Sequence, residues 1–396
     1  MTAPAGPLTG TTVVALEQAV AAPLCTRQLA DLGARVIKVE TRGEGDSARY
    51  YDETVHGLAA HFVWLNRGKE SITLDLKDER GIAVLHELIA GADVVVQNLA
   101  PGAAARLGVG SAEITAKHPR LIAVDISGYG EGGPLSERRA YDLLVQSEAG
   151  SCAVTGKPGE PAKPGISVAD IGTGMHAYSA VLAALLARAS SGRGTVIAVA
   201  LFDVIAEWMT PFLHQARYGD LVLEPNGVGS PLLAPYGDYI TSDGARIVVG
   251  TANDREWRRL AATMLDRPDL AEDPAYKTNV DRVSRRPELD AVIGTWVGSH
   301  TEEEVHAAAD RAGIGHARVN GIRDVLAHPQ LSDRDRWMAL PSPVGPVQAL
   351  RPSAITDAWA DPSGGLPGLG EHTDAILAEL GRSPEDISAL REAGIV

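Results

Sequence analysis

The chain has 396 residues, long enough for two domains or for one large domain carrying an insertion. Its 45% hydrophobic and 22% charged content, with a mean hydropathy of −0.03, is that of a soluble globular protein. Thirty-six Lys and Arg against 51 Asp and Glu leave a net charge of −15, which argues against nucleic acid or an anionic membrane as the main partner but not against a small anion held by a local cluster of bases.

The first 200 residues alternate strand and helix signals. Runs rich in Val and Ile at 12–16, 35–39, 71–74, 93–97, 121–126 and 195–201 read as strands of a parallel sheet covered on both faces. Helix signals lie between them at 22–32, ending at Gly33, and at 78–89, which opens with an acidic first turn; another begins at Ser111. A βα repeat of this kind predicts an α/β fold with a doubly wound, Rossmann-like sheet. A further helix is predicted over 175–188, where Met175, Tyr178, Val181, Leu182, Leu185 and Leu186 share one face at helical spacing.

After about Arg217 the pattern changes. Pro, Gly and aromatic residues cluster in Pro225-Asn226-Gly227-Val228-Gly229-Ser230-Pro231 and Ala234-Pro235-Tyr236-Gly237. A hairpin follows, 236–241 with 246–251, turning at Ser242-Asp243-Gly244. Helix signals then dominate at 254–265, 288–297 and 301–312, the last with Glu304 at the capping-box position. The expected organisation is a large domain over 1–224, a small α+β domain over 225–330, and a return to the large domain over 331–396. That return crosses a Pro/Gly-rich stretch at 361–370 and ends in two helices, the second starting at Ser383-Pro384-Glu385-Asp386.

Cys25 and Cys152 cannot make a disulfide framework, no metal-type spacing surrounds either, and both read as buried thiols. Residues 1–10 lack the layout of a secretory leader and no apolar run is long enough to span a bilayer, so a cytoplasmic protein is expected. Gly128-Tyr129-Gly130-Glu131-Gly132-Gly133 fits GxGxxG. It is followed by Pro134 rather than a helical stripe and comes at the fifth strand, so it reads as a loop rather than a dinucleotide fingerprint. A nicotinamide-dependent oxidoreductase would rest on that match alone.

The acid Asp170, between Ile166-Ser167-Val168-Ala169 and Gly172-Thr173-Gly174, is placed where a short β-prone run gives way to the helix. An acid there either caps the helix or is held ionised by the helix dipole for chemistry. His176 is expected on a different helix face, as packing or polar support. A second group is Arg138-Arg139-Ala140-Tyr141-Asp142-Leu143-Leu144-Val145-Gln146. Glycine, base and acid recur in Lys38-Val39-Glu40-Thr41-Arg42-Gly43-Glu44-Gly45-Asp46, Asn66-Arg67-Gly68-Lys69, Leu74-Asp75-Leu76-Lys77, Asn98-Leu99-Ala100-Pro101-Gly102, Arg106, Ser191-Gly192-Arg193-Gly194 and Gly370-Glu371-His372-Thr373.

Taken in order from about Leu8, these strings resemble the family III CoA-transferases of the formyl-CoA transferase or CaiB/BaiF type, a group that includes α-methylacyl-CoA racemase. The resemblance implies that Asp170 is the catalytic nucleophile, forming an aspartyl anhydride and then an aspartyl-CoA thioester. An ordinary aspartate is ionised at neutral pH, with a pKa of about 3.9, and needs no special activation. The resemblance also implies CoA contacts at Leu74, Asp75, Leu76, Lys77, Asn98, Leu99, Ala100, Arg106, Arg139, Ala140, Tyr141 and Asp142. Gly227 and Gly229 are the candidates for donors to the developing oxyanion. Two features depart from the family: its arginine after Lys-x-Glu of the second strand is Thr41, with Arg42 one place on, and the glutamine that supports its aspartate falls nearest Val20 rather than Gln18.

Racemases resembling this group carry histidine where Tyr141 stands, and tyrosine, with a pKa of about 10, is a poor base at pH 7. Transfer of CoA between an acyl-CoA and a small carboxylic acid is therefore expected, with racemisation as the alternative and a non-catalytic CoA-binding role as a third reading. Motifs around Tyr141, Asp170 and Leu201-Phe202-Asp203-Val204 look like the branch handling mesaconate, itaconate, citramalate, malate or succinate, although a histidine common there is Ser230. The resemblance further implies an interlocked homodimer, CoA thioester as substrate, no tightly bound cofactor and no metal.

Overall fold

The computed structural model describes residues 6–362 and 364–396; residues 1–5 of the expected leaderless N-terminus and Ser363 in the Pro/Gly-rich stretch lie outside the described residues. The chain divides into two compact units. The first comprises the residues up to Ala149, Ile166–Trp208 and Pro329–Val396, and the second Gly150–Gly165 with Met209–His328. The second unit thus begins at Met209 rather than 225 and takes in an additional segment from the first half of the chain.

In the first unit β1 (Thr12–Leu16), β2 (Arg35–Glu40), β3 (Lys69–Thr73), β4 (Val94–Gln97), β5 (Ile122–Ser127) and β6 (Val196–Ala200) form one parallel sheet in the order β3-β2-β1-β4-β5-β6. The order reverses between β1 and β4. That is the switch point of a doubly wound fold, where the two connections leave in opposite directions and open a crevice at the carboxyl edge. Val13, Val14, Val36, Val94 and Ile122 are fully buried, whereas β6 at the sheet edge is partly exposed.

Around the sheet run α1 (Ala21–Asp31), α2 (Ala60–Leu65), α3 (Glu79–Ala90), α4 (Ala103–Arg106), α5 (Ser111–Lys117), α6 (Asp142–Glu148), α7 (Val168–Ser191) and α8 (Leu201–Trp208). Asp78 caps α3 by accepting from the Arg80 N–H. The C-terminal segment closes the same core: Ile376, Leu377, Ile387, Ile395 and Val396 pack with Ile72, Leu74 and Leu85. The Asp75 N–H donates to the Ile395 carbonyl at 2.8 Å, and the His372 N–H to Ser71 at 3.0 Å along the free edge of β3.

Helix α7 differs from its predicted form. It starts at Val168, not Met175, and no strand precedes it, so Asp170 lies within the first helical turn and Gly172 and Gly174 are helical. Its buried face is Ala169, Gly172, Thr173, Ala177 and Val181, while Met175 and Leu186 are exposed. The cause is close approach. A Cβ on Gly172 would lie 2.5 Å from the Trp208 ring, and one on Gly174 would lie 2.6 Å from the Ala21 carbonyl oxygen. Two glycines therefore let α8 and the start of α1 pack against the α7 backbone, and small residues outweigh the apolar stripe in setting the buried face.

The second unit has β7 (Tyr236–Ile240), β8 (Arg246–Gly250) and β9 (Gly315–Arg318) in an antiparallel sheet of order β9-β8-β7. Trp257, Leu260, Ile293, Val305 and Ala309 build its core. The helix predicted over 254–265 is α-helical only to Arg259 and closes with a π turn, Leu260–Met264. The capping box at Thr301 and Glu304 is formed. Among the described residues no helix is long and apolar enough to cross a membrane.

Candidate active site

The bases and acids that recur along the first third of the chain separate into two populations. One is buried against β1 to β3, with Glu17 just past β1, Lys38 within β2 and Lys69 at the start of β3: Glu17 Oε1 lies 3.1 Å from Lys38 Nζ and 2.6 Å from Lys69 Nζ, and Lys38 Nζ lies 2.7 Å from Asp46. Glu40 pairs with Arg49 at 2.7 Å, and Arg67 with Asp31 at 2.7 Å. Burial opposes ionisation of Glu17, but the two lysines outweigh it and hold its carboxyl below the usual range. Burial pushes the Lys69 ammonium down to about 8. These strings are scaffold. Cys25 is buried beside them, and burial pushes its thiol up, whereas Cys152 is only half-buried.

The second population faces solvent. Lys77, Arg106 and Arg139 are exposed, and among the described residues none of them makes an ion pair. They lie on connections leaving β3, β4 and β5, hence along the carboxyl edge of the sheet where the switch point opens. Leu74 is in the core, and Leu76 and Leu99 are half-buried against it, so those positions offer mainly backbone. Asp75 turns its carboxylate back to its own loop, accepting from the Lys77 N–H at 2.9 Å. Ala100 is exposed, Ala140 half-buried, and Tyr141 is 64% exposed at the start of α6. The Asn98 side chain is bonded to Gln18 on both its oxygen and its nitrogen.

Asp170 stands at this same edge, because α7 runs back toward the amino ends of the strands: Arg188 near its C-terminus bonds to Asp93 and Arg120, the residues before β4 and β5. The helix-capping explanation of Asp170 fails on geometry. The carboxylate that caps α7 is Asp142, whose Oδ1 accepts from the Ala169 N–H at 2.9 Å and the Asp170 N–H at 3.3 Å. Buried Gln146 fixes Asp142 by donating to Oδ2 at 2.6 Å. Asp142 is thus a support beneath Asp170 rather than an exposed ligand contact, and the Asp142–Gln146 spacing of four on a helix is the sequence signal for it. Among the described residues the Asp170 carboxyl has no hydrogen-bond partner.

Its acidity is not that of an ordinary aspartate. Burial, with the Asp142 charge adding to it, pushes the Asp170 carboxyl up from 3.8 to about 7. The helix dipole does not hold it ionised, as the sequence suggested; loss of water and a neighbouring like charge outweigh it.

Other expected residues fall differently. Val20 is buried with Leu24 and Leu65, against which Ile171 packs, while Gln18 is exposed. The His176 ring packs 6.4 Å from Trp208. The N–H of Gly227 donates to Gly156 at 2.6 Å and that of Gly229 to Asn226 at 2.8 Å, so both oxyanion candidates are engaged within their own unit. The 128–133 glycine string is a turn-rich loop with no helix opening from it. A cavity of about 1070 Å³ in the first unit, lined by Arg27, Trp64, Tyr178 and Trp337 among others, includes none of the expected CoA contacts.

The sequence matches the model of CoA-transferase family III over residues 8–373. Among similar proteins, succinyl-CoA:glutarate CoA-transferase of Homo sapiens is 32% identical, the match covering 98% of this chain and 90% of that protein. Succinyl-CoA–D-citramalate CoA-transferase of Chloroflexus aurantiacus is 30% identical over 99% of both chains. A crystal structure of a CaiB/BaiF family protein from Brucella suis is 34% identical, covers 95% of this chain and 100% of its own, and superposes with a TM-score of 0.82. The doubly wound sheet, the unpartnered acid at its switch-point edge and these matches lead to one conclusion: the chain belongs to CoA-transferase family III and is a CoA-transferase.

Proposed function

We propose that the protein moves CoA from an acyl-CoA to a free short dicarboxylic acid through covalent attachment to Asp170. The observation that carries this reading is the Asp170 carboxyl, unpartnered and half-buried in the first turn of α7, with the capping role taken by Asp142. Its ionised oxygen attacks the thioester carbonyl, the C–S bond breaks, and CoA thiolate leaves a mixed anhydride. The thiolate then attacks the aspartyl carbonyl and expels the first acid, leaving an aspartyl-CoA thioester. The acceptor carboxylate attacks that thioester to give a second anhydride and thiolate. Attack of the thiolate on the acceptor's acyl carbon yields the new acyl-CoA and frees Asp170.

Lys77, Arg106 and Arg139 are the candidates for the CoA phosphates, since an acidic protein must gather local positive charge to hold that anion. The backbone of 74–77 and 98–100, with Ala140 and Tyr141, completes the proposed CoA surface. Tyr141 in place of an imidazole favours transfer over racemisation, because a phenol rather than the histidine base stands at that position. Relatives named for succinyl-CoA, glutarate and citramalate favour a short dicarboxylate as acceptor. We further propose that two subunits interlock. The exposed apolar side chains Leu143, Leu144, Ile166, Met175 and Leu186 on and beside α6 and α7 are suited to burial by a second copy. Incubating the enzyme with a panel of acyl-CoAs and free acids, and identifying exchanged thioesters by mass spectrometry, tests the reading. Exchange confined to short dicarboxylates is the expected result, and no exchange with any pair would overturn it.

A further inference from the structure

The β1–β4 ladder ends at the pair Leu16 and Gln97, where the switch point sends the two chains apart. Beyond that pair the contact is continued by one side chain. The Asn98 N–H donates to the Leu16 carbonyl at 3.2 Å, Asn98 Oδ1 accepts from the Gln18 N–H at 2.9 Å, and Asn98 Nδ2 donates to the Gln18 carbonyl at 2.9 Å. A carboxamide carries the same donor and acceptor as a peptide unit. Asn98 therefore extends the ladder into the turn 18–20 after the strands have parted.

The next residue of that turn is held from the other side. Ala19 is in the left-handed region, φ 63°, which a residue with a Cβ adopts only when its surroundings impose it. Buried Asp46 imposes it, with Oδ1 accepting from the Ala19 N–H at 3.0 Å while Oδ2 is anchored on Lys38. The third residue, Val20, packs with Leu24 and Leu65 in the cluster that Ile171 joins, directly after Asp170. One turn further along α7, Gly174 lets the Ala21 carbonyl approach the helix backbone. The turn and the first two turns of α7 are therefore one packed unit, and whatever fixes the turn fixes the backbone carrying Asp170.

We propose that the Asn98 side chain is a positioning group for the reaction, acting through the turn 18–20 on the placement of Asp170, and that this carboxamide is not itself a ligand of CoA. The proposal rests on Asp170 as the nucleophile. A ligand role and a positioning role give opposite kinetic patterns. A ligand loses affinity when truncated, whereas a positioning residue leaves binding intact and slows bond formation, for which displacement of a reacting group by about 1 Å costs on the order of 10²-fold.

The test uses the full-length enzyme with succinyl-CoA as donor. The single-turnover rate of adduct formation on the Asp170 peptide is measured by mass spectrometry, and the Kd for CoA by calorimetry. Asn98→Ala is expected to slow adduct formation by about 10- to 100-fold with the Kd for CoA little changed. Asn98→Asp keeps an oxygen for the Gln18 N–H and preserves side-chain volume but turns a carboxylate oxygen on the Gln18 carbonyl, so it should slow adduct formation at least as much as alanine with the Kd for CoA little changed, and serves if the alanine variant does not fold. A wild-type adduct rate combined with a roughly tenfold weaker Kd in these variants would make Asn98 a ligand and overturn the proposal. A lowered thermal midpoint with unchanged rate and Kd would make it merely structural and equally overturn it. Absence of an adduct from the wild-type enzyme would instead overturn the nucleophile reading, and this inference with it, whatever the variants do.

Discussion

The raised proton affinity of Asp170 predicts a pH profile that separates this site from an ordinary aspartate. With the carboxyl pushed to about 7, burial being the larger cause and Asp142 the second, only about one-tenth of the enzyme carries the ionised nucleophile at pH 6, about half at pH 7 and about nine-tenths at pH 8. The rate of aspartyl-adduct formation at saturating acyl-CoA should therefore climb nearly tenfold between pH 6 and 8 and level off above. Asp142→Asn is the informative perturbation. The asparagine oxygen can still accept from the Ala169 and Asp170 N–H groups, so α7 keeps its cap, but the like charge is gone. The midpoint should fall below the wild-type value yet stay above 3.8, because burial remains. Stability gives the same group a second readout. Its folded pKa lies above its unfolded one, so the folded state binds the extra proton between about pH 4 and 7. Stability is therefore fully present below about 4 and is lost as the pH rises through about 7. Moving a carboxyl from 3.8 to about 7 corresponds to at most about 4 kcal/mol. Asp170→Asn should accordingly be more stable than wild type in urea at pH 8, and the two should converge near pH 4. A flat rate profile from pH 5 to 8, or a midpoint unmoved by Asp142→Asn, would refute the reasoning.

Arg106→Glu and Lys77→Glu should raise KM for acyl-CoA with little change in kcat, because both cations lie on the carboxyl edge without ion-pair partners of their own; a fall in kcat alone would count against a phosphate-binding role. Glu17→Gln leaves the buried Lys38 and Lys69 short of an anion and should cost about 3–5 kcal/mol in denaturant unfolding. Gly174→Val drives a side chain into the Ala21 carbonyl and should destabilise by about 1–3 kcal/mol, while Gly133→Ala, at an exposed glycine with open space around it and no left-handed φ, serves as a control for the assay. Wild-type enzyme should exchange no solvent deuterium into the α-carbon of a 2-methylacyl-CoA, and Tyr141→His should not improve transfer; deuterium incorporation by the wild type would restore racemisation.

Much of the fold was legible because its signals are local. Short Val-rich runs separated by helix starts define the parallel strands, the Thr301–Glu304 pair announces a cap that forms as read, and the last helix starts at Ser383-Pro384 as expected. What was not legible is long-range. The start of α7 escaped because Gly172, Thr173 and Gly174 are poor helix formers in isolation, and only packing on Trp208 and Ala21 makes them helical. Nothing local in the strings around Lys38 and Lys69 says that these bases point inward at Glu17, which lies 21 and 52 residues away in the chain. Asp170 was found from its position and resemblance, but its acidity depends on burial by the fold and on Asp142, 28 residues earlier in the chain. The same holds for the Asn98 carboxamide, which meets Gln18 across 80 residues.

The central claim is that Asp170 carries the acyl group and then CoA. Wild-type enzyme mixed with acyl-CoA alone should acquire the mass of CoA less one water on a peptide containing Asp170. Hydroxylamine should convert that adduct to a hydroxamate, and borohydride should inactivate the enzyme only after acyl-CoA has been added. Asp170→Ala should fold, bind CoA and give no adduct. An adduct on another residue, or undiminished transfer by Asp170→Ala, would contradict the account.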